Sequence, residues 1–180
     1  MRGILLSLIL AVSMTANAGP SHRHHKEGIL KELISSNQQS RQKQQTCLAR
    51  AIYFEASHLK NSQIAVGNTI VNRVVSRNYP DTVCDVVHQK TTTRSGKQIC
   101  QFSYLCEEEK QVVEGSSKWK NAQQTAVNIL NSFFSRTRKD PTDGATHFHD
   151  IRVYPKWAQS DNFEQTMKTE RLTFYKTKGN

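Results

Sequence analysis

Cys47-Leu48-Ala49-Arg50-Ala51-Ile52-Tyr53-Phe54-Glu55-Ala56 decides how the rest of the chain reads. Leu48, Ala51 and Ile52 stand seven, four and three residues before Glu55, so on a helix they share its face. That face is otherwise apolar and points at a core or a cleft wall. A carboxyl held there is poorly solvated, and desolvation raises its pKa. An acid still protonated near neutral pH can donate a proton to a leaving group. The same pattern also fits a solvated carboxylate at a helix end, and spacing alone leaves both readings standing.

Working outward, the 180-residue length suits one globular domain, and 36% hydrophobic with 22% charged content suits a soluble one with a modest core. The net charge of +10 favours an anionic partner, either nucleic acid or an acidic polymer such as a bacterial wall. No zinc finger, basic zipper or Gly-rich RNA-binding signature accompanies the charge, so the reading is no nucleic acid.

Residues 1–18 read as a secretory signal. Arg2 is followed by an apolar run from Ile4 to Val12 and then by Ala16-Asn17-Ala18, a small-x-small cleavage site. The run is short for a permanent span, so a secreted or periplasmic chain cleaved after Ala18 is expected. Residues 19–45 read as a polar, basic linker or arm, and 46–180 as the catalytic domain.

Export gives the cysteines a meaning. Cys47, Cys84, Cys100 and Cys106 are an even set in an oxidising compartment, where disulfides persist. Cys100 and Cys106 enclose a short loop and form the natural pair, and Cys47 with Cys84 would then tie the acid-bearing helix to a later loop. Three connectivities remain open. Cys47 near a helix start also fits a thiol nucleophile with a histidine base such as His147, which would make the chain a cysteine endopeptidase. With no Cys-x-x-Cys spacing, no metal and no cofactor is expected.

Periodicity places helices at about Gln44 to Ser57, Ser62 to Arg77 and Ser117 to Ser135. Val83 to His88 fits a strand or a helical turn. Thr91 to Lys97 is polar with a turn at Ser95-Gly96. Ala145 to Tyr154 and Arg171 to Lys176 read as extended. The fold class is α+β, mostly helical, with small β additions in a single domain. His147 and His149 fall on one side of an extended segment, and Trp157 suits a cleft wall, whereas Trp119 on its helix suits the core.

Five stretches, in order over about Cys47 to Tyr175, resemble the cell-wall hydrolase family of the spore cortex-lytic enzymes (SleB/CwlJ type). They are the quoted decapeptide; Gln63 to Asn68 with Val71-Asn72-Arg73-Val74; Tyr79-Pro80-Asp81-Thr82-Val83-Cys84; Cys100-Gln101-Phe102-Ser103; and Asp140-Pro141-Thr142 with Gly144 to His149. The resemblance implies a lysozyme- or lytic-transglycosylase-like domain that cleaves peptidoglycan glycan strands at N-acetylmuramic acid. It places the family's catalytic glutamate at Glu55. Gln101, Ser103, Tyr104, His147, His149 and Trp157 are the candidate substrate contacts. One departure stands out: Leu172 occupies the position of a histidine usual in the family. The rival readings are the Cys47 endopeptidase and a non-catalytic basic wall-binding module.

Overall fold

Helix α1 (Pro20–Glu55) ends on the acid. The computed structural model describes residues 20–56, 58–107 and 110–178, and side chains from Ser35 onward. Residues 1–18, read above as a secretory signal, lie outside the described residues. The chain divides into two compact units, 1–38 and 39–180. Of the first, helical backbone from Pro20 and the exposed side chains from Ser35 are described, and the packing below belongs to the second.

The helix begins well before the expected start near Gln44. Gln, Lys, Arg, Glu and Leu are good helix formers, and after Gly28 no Gly or Pro interrupts them up to Glu55. Ile29, Leu30, Leu33 and Ile34 fit one helical turn or two, but Ser35 to Gln45 is polar, so periodicity does not carry a helix through to Leu48. From Leu48 onward the stripe appears: Leu48, Ala51 and Ile52 are fully buried.

Helix α2 (Lys60–Val75) packs on this stripe and is buried almost throughout from Ser62 to Arg73. Gly67 sets how closely the helices approach. A Cβ there would lie 2.5 Å from Ile129 Cδ1 and 3.0 Å from Ile52 Cδ1. Ile129 belongs to α4 (Ser117–Phe134), capped by Ser116, whose hydroxyl accepts from the Trp119 N–H. Trp119, Ala122, Ala126, Ile129 and Leu130 form the buried side of α4.

Between α2 and α4 lies short helix α3 (Val83–His88), which resolves the strand-or-turn ambiguity of that segment. Thr82 caps it by accepting from the Asp85 N–H. Gln44 of α1 adds a second cap, its Oε1 accepting from the Cys84 N–H at 2.9 Å. The Cys47–Cys84 disulfide joins the same two helices. A hairpin of β1 (Lys90–Thr92) and β2 (Gln98–Cys100) follows. Gly96, at φ +81°, turns it. Cys100–Cys106 then closes a loop around a short 3₁₀ helix, Ser103–Leu105.

A three-stranded antiparallel sheet completes the fold, with β5 (Leu172–Thr177) between β3 (His147–Asp150) and β4 (Phe163–Lys168). Leu172 and Phe174 of β5 are buried in the core. No helix among the described residues is long and apolar enough to cross a membrane.

Candidate active site

Glu55 sits at the C-terminal end of α1, three residues after fully buried Ile52. Burial pushes its pKa up to about 7, from an ordinary 4.5. Arg73 opposes that rise, Glu107 adds to it and Lys110 opposes it. Desolvation wins, so the side chain carries a proton close to neutrality.

An aromatic wall adjoins the acid. Phe54 stacks on Tyr104 with ring centroids 4.4 Å apart. Tyr104 touches Phe102 at 6.5 Å, and the Arg73 guanidinium lies 5.5 Å over Phe102 and 5.4 Å over Tyr79. Tyr79 leads to His147, its hydroxyl 3.5 Å from Nε2. His147 in turn touches Trp157 and Phe163, with centroids 5.4 Å and 4.8 Å away.

This wall stands where it does because α2 clamps the segment ahead of β3. Asn72 Nδ2 donates to Asp140 Oδ2 at 2.8 Å and to the Ala145 carbonyl at 2.9 Å. Next along the helix, Arg73 Nε donates to the Thr146 carbonyl at 2.7 Å. Asp140 closes its own turn by accepting from Thr142 N, Thr142 Oγ1 and Gly144 N. The clamp delivers His147 to the wall.

Of the expected contacts, Tyr104, His147, His149 and Trp157 enter this aromatic network. His147 and His149 both touch Trp157, as the shared side of an extended segment requires. His147 is pushed down to about 4 by burial and by Arg73, so its imidazole is neutral at pH 7. His149 stacks on Tyr175 and its Nε2 lies 3.2 Å from the Tyr175 hydroxyl. Gln101 and Ser103 are exposed on the disulfide-closed loop. Ser103 and Lys110 hydrogen-bond Glu107, with Lys110 the stronger influence, and hold that carboxyl low. Trp119 is in the core, edge-on to Tyr53.

Cys47 has no free thiol, because its sulfur is bonded to Cys84. This removes the nucleophile from the endopeptidase reading. Among the described residues no group of three His, Cys, Asp or Glu side chains converges to hold a metal ion.

Sequence reasoning passed over Arg73, Tyr79, Phe102 and Phe163. Arg73 carried the clearest signal, a charge three residues after Ile70 and seven after Val66 on a buried helical face.

The fold and site define an α+β, mostly helical domain with one poorly solvated acid beside an aromatic wall. Its architecture is similar to two solved catalytic domains, that of the Bacillus cereus SleB protein and that of the germination-specific lytic transglycosylase SleB from Bacillus anthracis. Each is 23% identical with a TM-score of 0.56 over 75% of this chain, covering 91% and 95% of the respective domains. The profile of the cell wall hydrolase family matches residues 57–175, and the chain belongs to that family. It is a cell-wall hydrolase by class. The matched region begins two residues after Glu55. Comparison with curated proteins gives no match.

Proposed function

We propose that the protein is a secreted or periplasmic enzyme of the muramidase or lytic transglycosylase type, cleaving peptidoglycan glycan strands beside N-acetylmuramic acid with Glu55 as general acid and base. The observation that carries this reading is the Glu55 carboxyl held up to about 7 by burial. A group poised near the working pH can both give and take a proton.

In the anhydro-forming route, Glu55 protonates the glycosidic oxygen as the bond from that oxygen to C1 of the muramic residue breaks. The 6-hydroxyl of the same residue then attacks C1. Its proton passes to the Glu55 carboxylate, which restores the acid and closes a 1,6-anhydro ring. One carboxyl serves both steps. Glu107, the other carboxylate acting on Glu55 among the described residues, is exposed and tied to Lys110, which suits this one-acid route. The Bacillus anthracis relative is itself described as a lytic transglycosylase. His147, His149 and Trp157, all half-buried, offer ring faces to a sugar chain, with Gln101 and Ser103 at the exposed edge; Tyr104 is buried and backs the wall, and the imidazole nitrogens are engaged by Thr146, Tyr79, Asp150 and Tyr175. The net charge of +10 draws the enzyme to an anionic wall.

Digestion of purified sacculi followed by mass spectrometry tests the proposal. Anhydro-muramyl products from the parent and none from folded Glu55→Gln are expected. Reducing ends in place of anhydro ends would assign water as the nucleophile. Muropeptide release by Glu55→Gln at the parent rate would overturn the role of Glu55.

A further inference from the structure

Arg73 is 3% exposed, yet among the described residues no carboxylate is paired with its guanidinium. Nε is used on the Thr146 carbonyl, and the flat face lies between Tyr79 and Phe102. Nη1 is fully buried with no hydrogen-bond partner. An unmade hydrogen bond on a buried charged donor is costly, because the group has given up water without gaining a partner. A fold keeps such a group when an acceptor arrives at another stage of its work.

Arg73 lies over Phe102, Phe102 touches Tyr104, and Tyr104 stacks on Phe54, the residue before Glu55. Tyr79 and then Glu55 act on the guanidinium through space. With Glu55 protonated, the guanidinium has the Thr146 carbonyl and two ring faces but no anion. Transfer of the Glu55 proton turns the two groups into a carboxylate and a guanidinium of opposite charge. The attraction therefore grows as the reaction proceeds, which is the condition for lowering a barrier rather than only tightening binding. A permanent ion pair would instead hold Glu55 ionised and disable it as an acid.

We propose that Arg73 is the positioning residue for Glu55, its free Nη1 kept for the carboxylate that Glu55 becomes once it has given up its proton. This rests on the reading of Glu55 as the acid. Arg73 acts through Glu55 and carries no proton itself. Other groups act on the pair as well: Glu107 and Lys110 on Glu55, and Tyr79 on Arg73. His147 and Tyr104 are influenced by Arg73 and Glu55 respectively.

The test is NMR titration of the full chain, following the Glu55 side-chain carboxyl carbon and the Arg73 Nε resonance. Both should move with one midpoint near 7, and the Arg73 resonance should lose that transition in Glu55→Gln. His147, pushed down to about 4, gives a separate and lower transition. An Arg73 resonance that stays flat while Glu55 titrates overturns the proposal, and this arm needs no Arg73 variant to fold. In Arg73→Met the Glu55 midpoint should rise by about one unit, with turnover on sacculi falling about tenfold and KM little changed. Arg73→Lys should recover most of the midpoint. An unmoved midpoint in folded Arg73→Met also overturns the proposal. If the two resonances titrate together but Glu55→Gln keeps its turnover, the pairing stands and the reading of Glu55 as the acid falls.

Discussion

Tyr104 lies flat on Phe54, ring centroids 4.4 Å apart and planes 23° from parallel, one residue before the acid. The contact joins the loop closed by Cys100–Cys106 to the last turn of α1. Burial, more than any charge, pushes the Tyr104 phenol up, so the ring is a neutral part of the wall. Tyr104→Phe should therefore keep the fold and lose little. Tyr104→Ala should cost about 3–5 kcal/mol of stability, as aromatic truncations in cores do, and should hydrate Glu55. Its pH–rate profile should then shift toward the ordinary glutamate value. Chemical denaturation and a pH series on the two variants check both halves.

Glu55 carries a stability penalty whose sign follows from its raised pKa. A group with a folded pKa above its unfolded value contributes fully below the unfolded value, here 4.5, and loses that contribution as pH rises through about 7. Glu55→Gln has no proton to lose. It should match the parent near pH 4 and exceed it above pH 7 by about 1–3 kcal/mol. Thermal melts of both proteins from pH 4 to 9 measure this. Parallel curves across that range would mean that Glu55 is not desolvated.

The Cys47–Cys84 bridge closes a span of 37 residues and joins the helix carrying Glu55 to α3. Chain-entropy arguments give a link of that length about 3–4 kcal/mol. The double variant Cys47→Ala with Cys84→Ala should lose stability of that order. The shorter loop of Cys100–Cys106 gives less stability but holds Tyr104 beside Phe54. Cys100→Ala with Cys106→Ala should accordingly lose more turnover than stability. Denaturant midpoints set against muropeptide release separate the two bridges.

The parts of the fold legible in the sequence are those where apolar residues recur at helical spacing. Leu48, Ala51 and Ile52 announce the end of α1, and Trp119 to Phe133 announce α4. The stretch from Ser35 to Lys43 is illegible because its residues are exposed and its helicity comes from propensity without a buried stripe. Strands β1, β2 and β4 are not legible for a related reason. Lys90–Thr92 is wholly exposed, and Phe163–Lys168 at the sheet edge is held by pairing with Leu172–Thr177, a long-range fact that its own residues do not encode. At the site, an acid on an apolar face was readable as such. Arg73 was not, because the partners that make burial of a guanidinium tolerable come from distant segments: Thr146, Tyr79 and Phe102.

Asp140 governs how those distant segments meet. Burial alone would raise its pKa, but hydrogen bonds from the Thr142 hydroxyl, the Gly144 and Thr142 N–H groups and Asn72 outweigh it and hold the carboxyl below its ordinary value. A depressed pKa means stability that is present above the unfolded value, near 3.8, and lost as pH falls through the folded one. Asp140→Asn keeps the shape but turns one acceptor into a donor facing donors, either from Thr142 or from Gly144 and Asn72. Hydrogen bonds to a charged group are each worth about 1.5–3 kcal/mol, so a loss of that order is expected at pH 7. The loss should shrink at acid pH, where the parent's own carboxyl becomes protonated. Loosening the clamp also frees the Thr146 carbonyl from Arg73 and shifts His147 against Trp157. Binding to sacculi should weaken alongside stability, while the Glu55 transition in the pH–rate profile survives. Pairing pH-dependent denaturation of Asp140→Asn with sacculus binding checks this, and a variant as stable as the parent at pH 7 would show that the Asn72–Asp140 bond does not hold the wall in place.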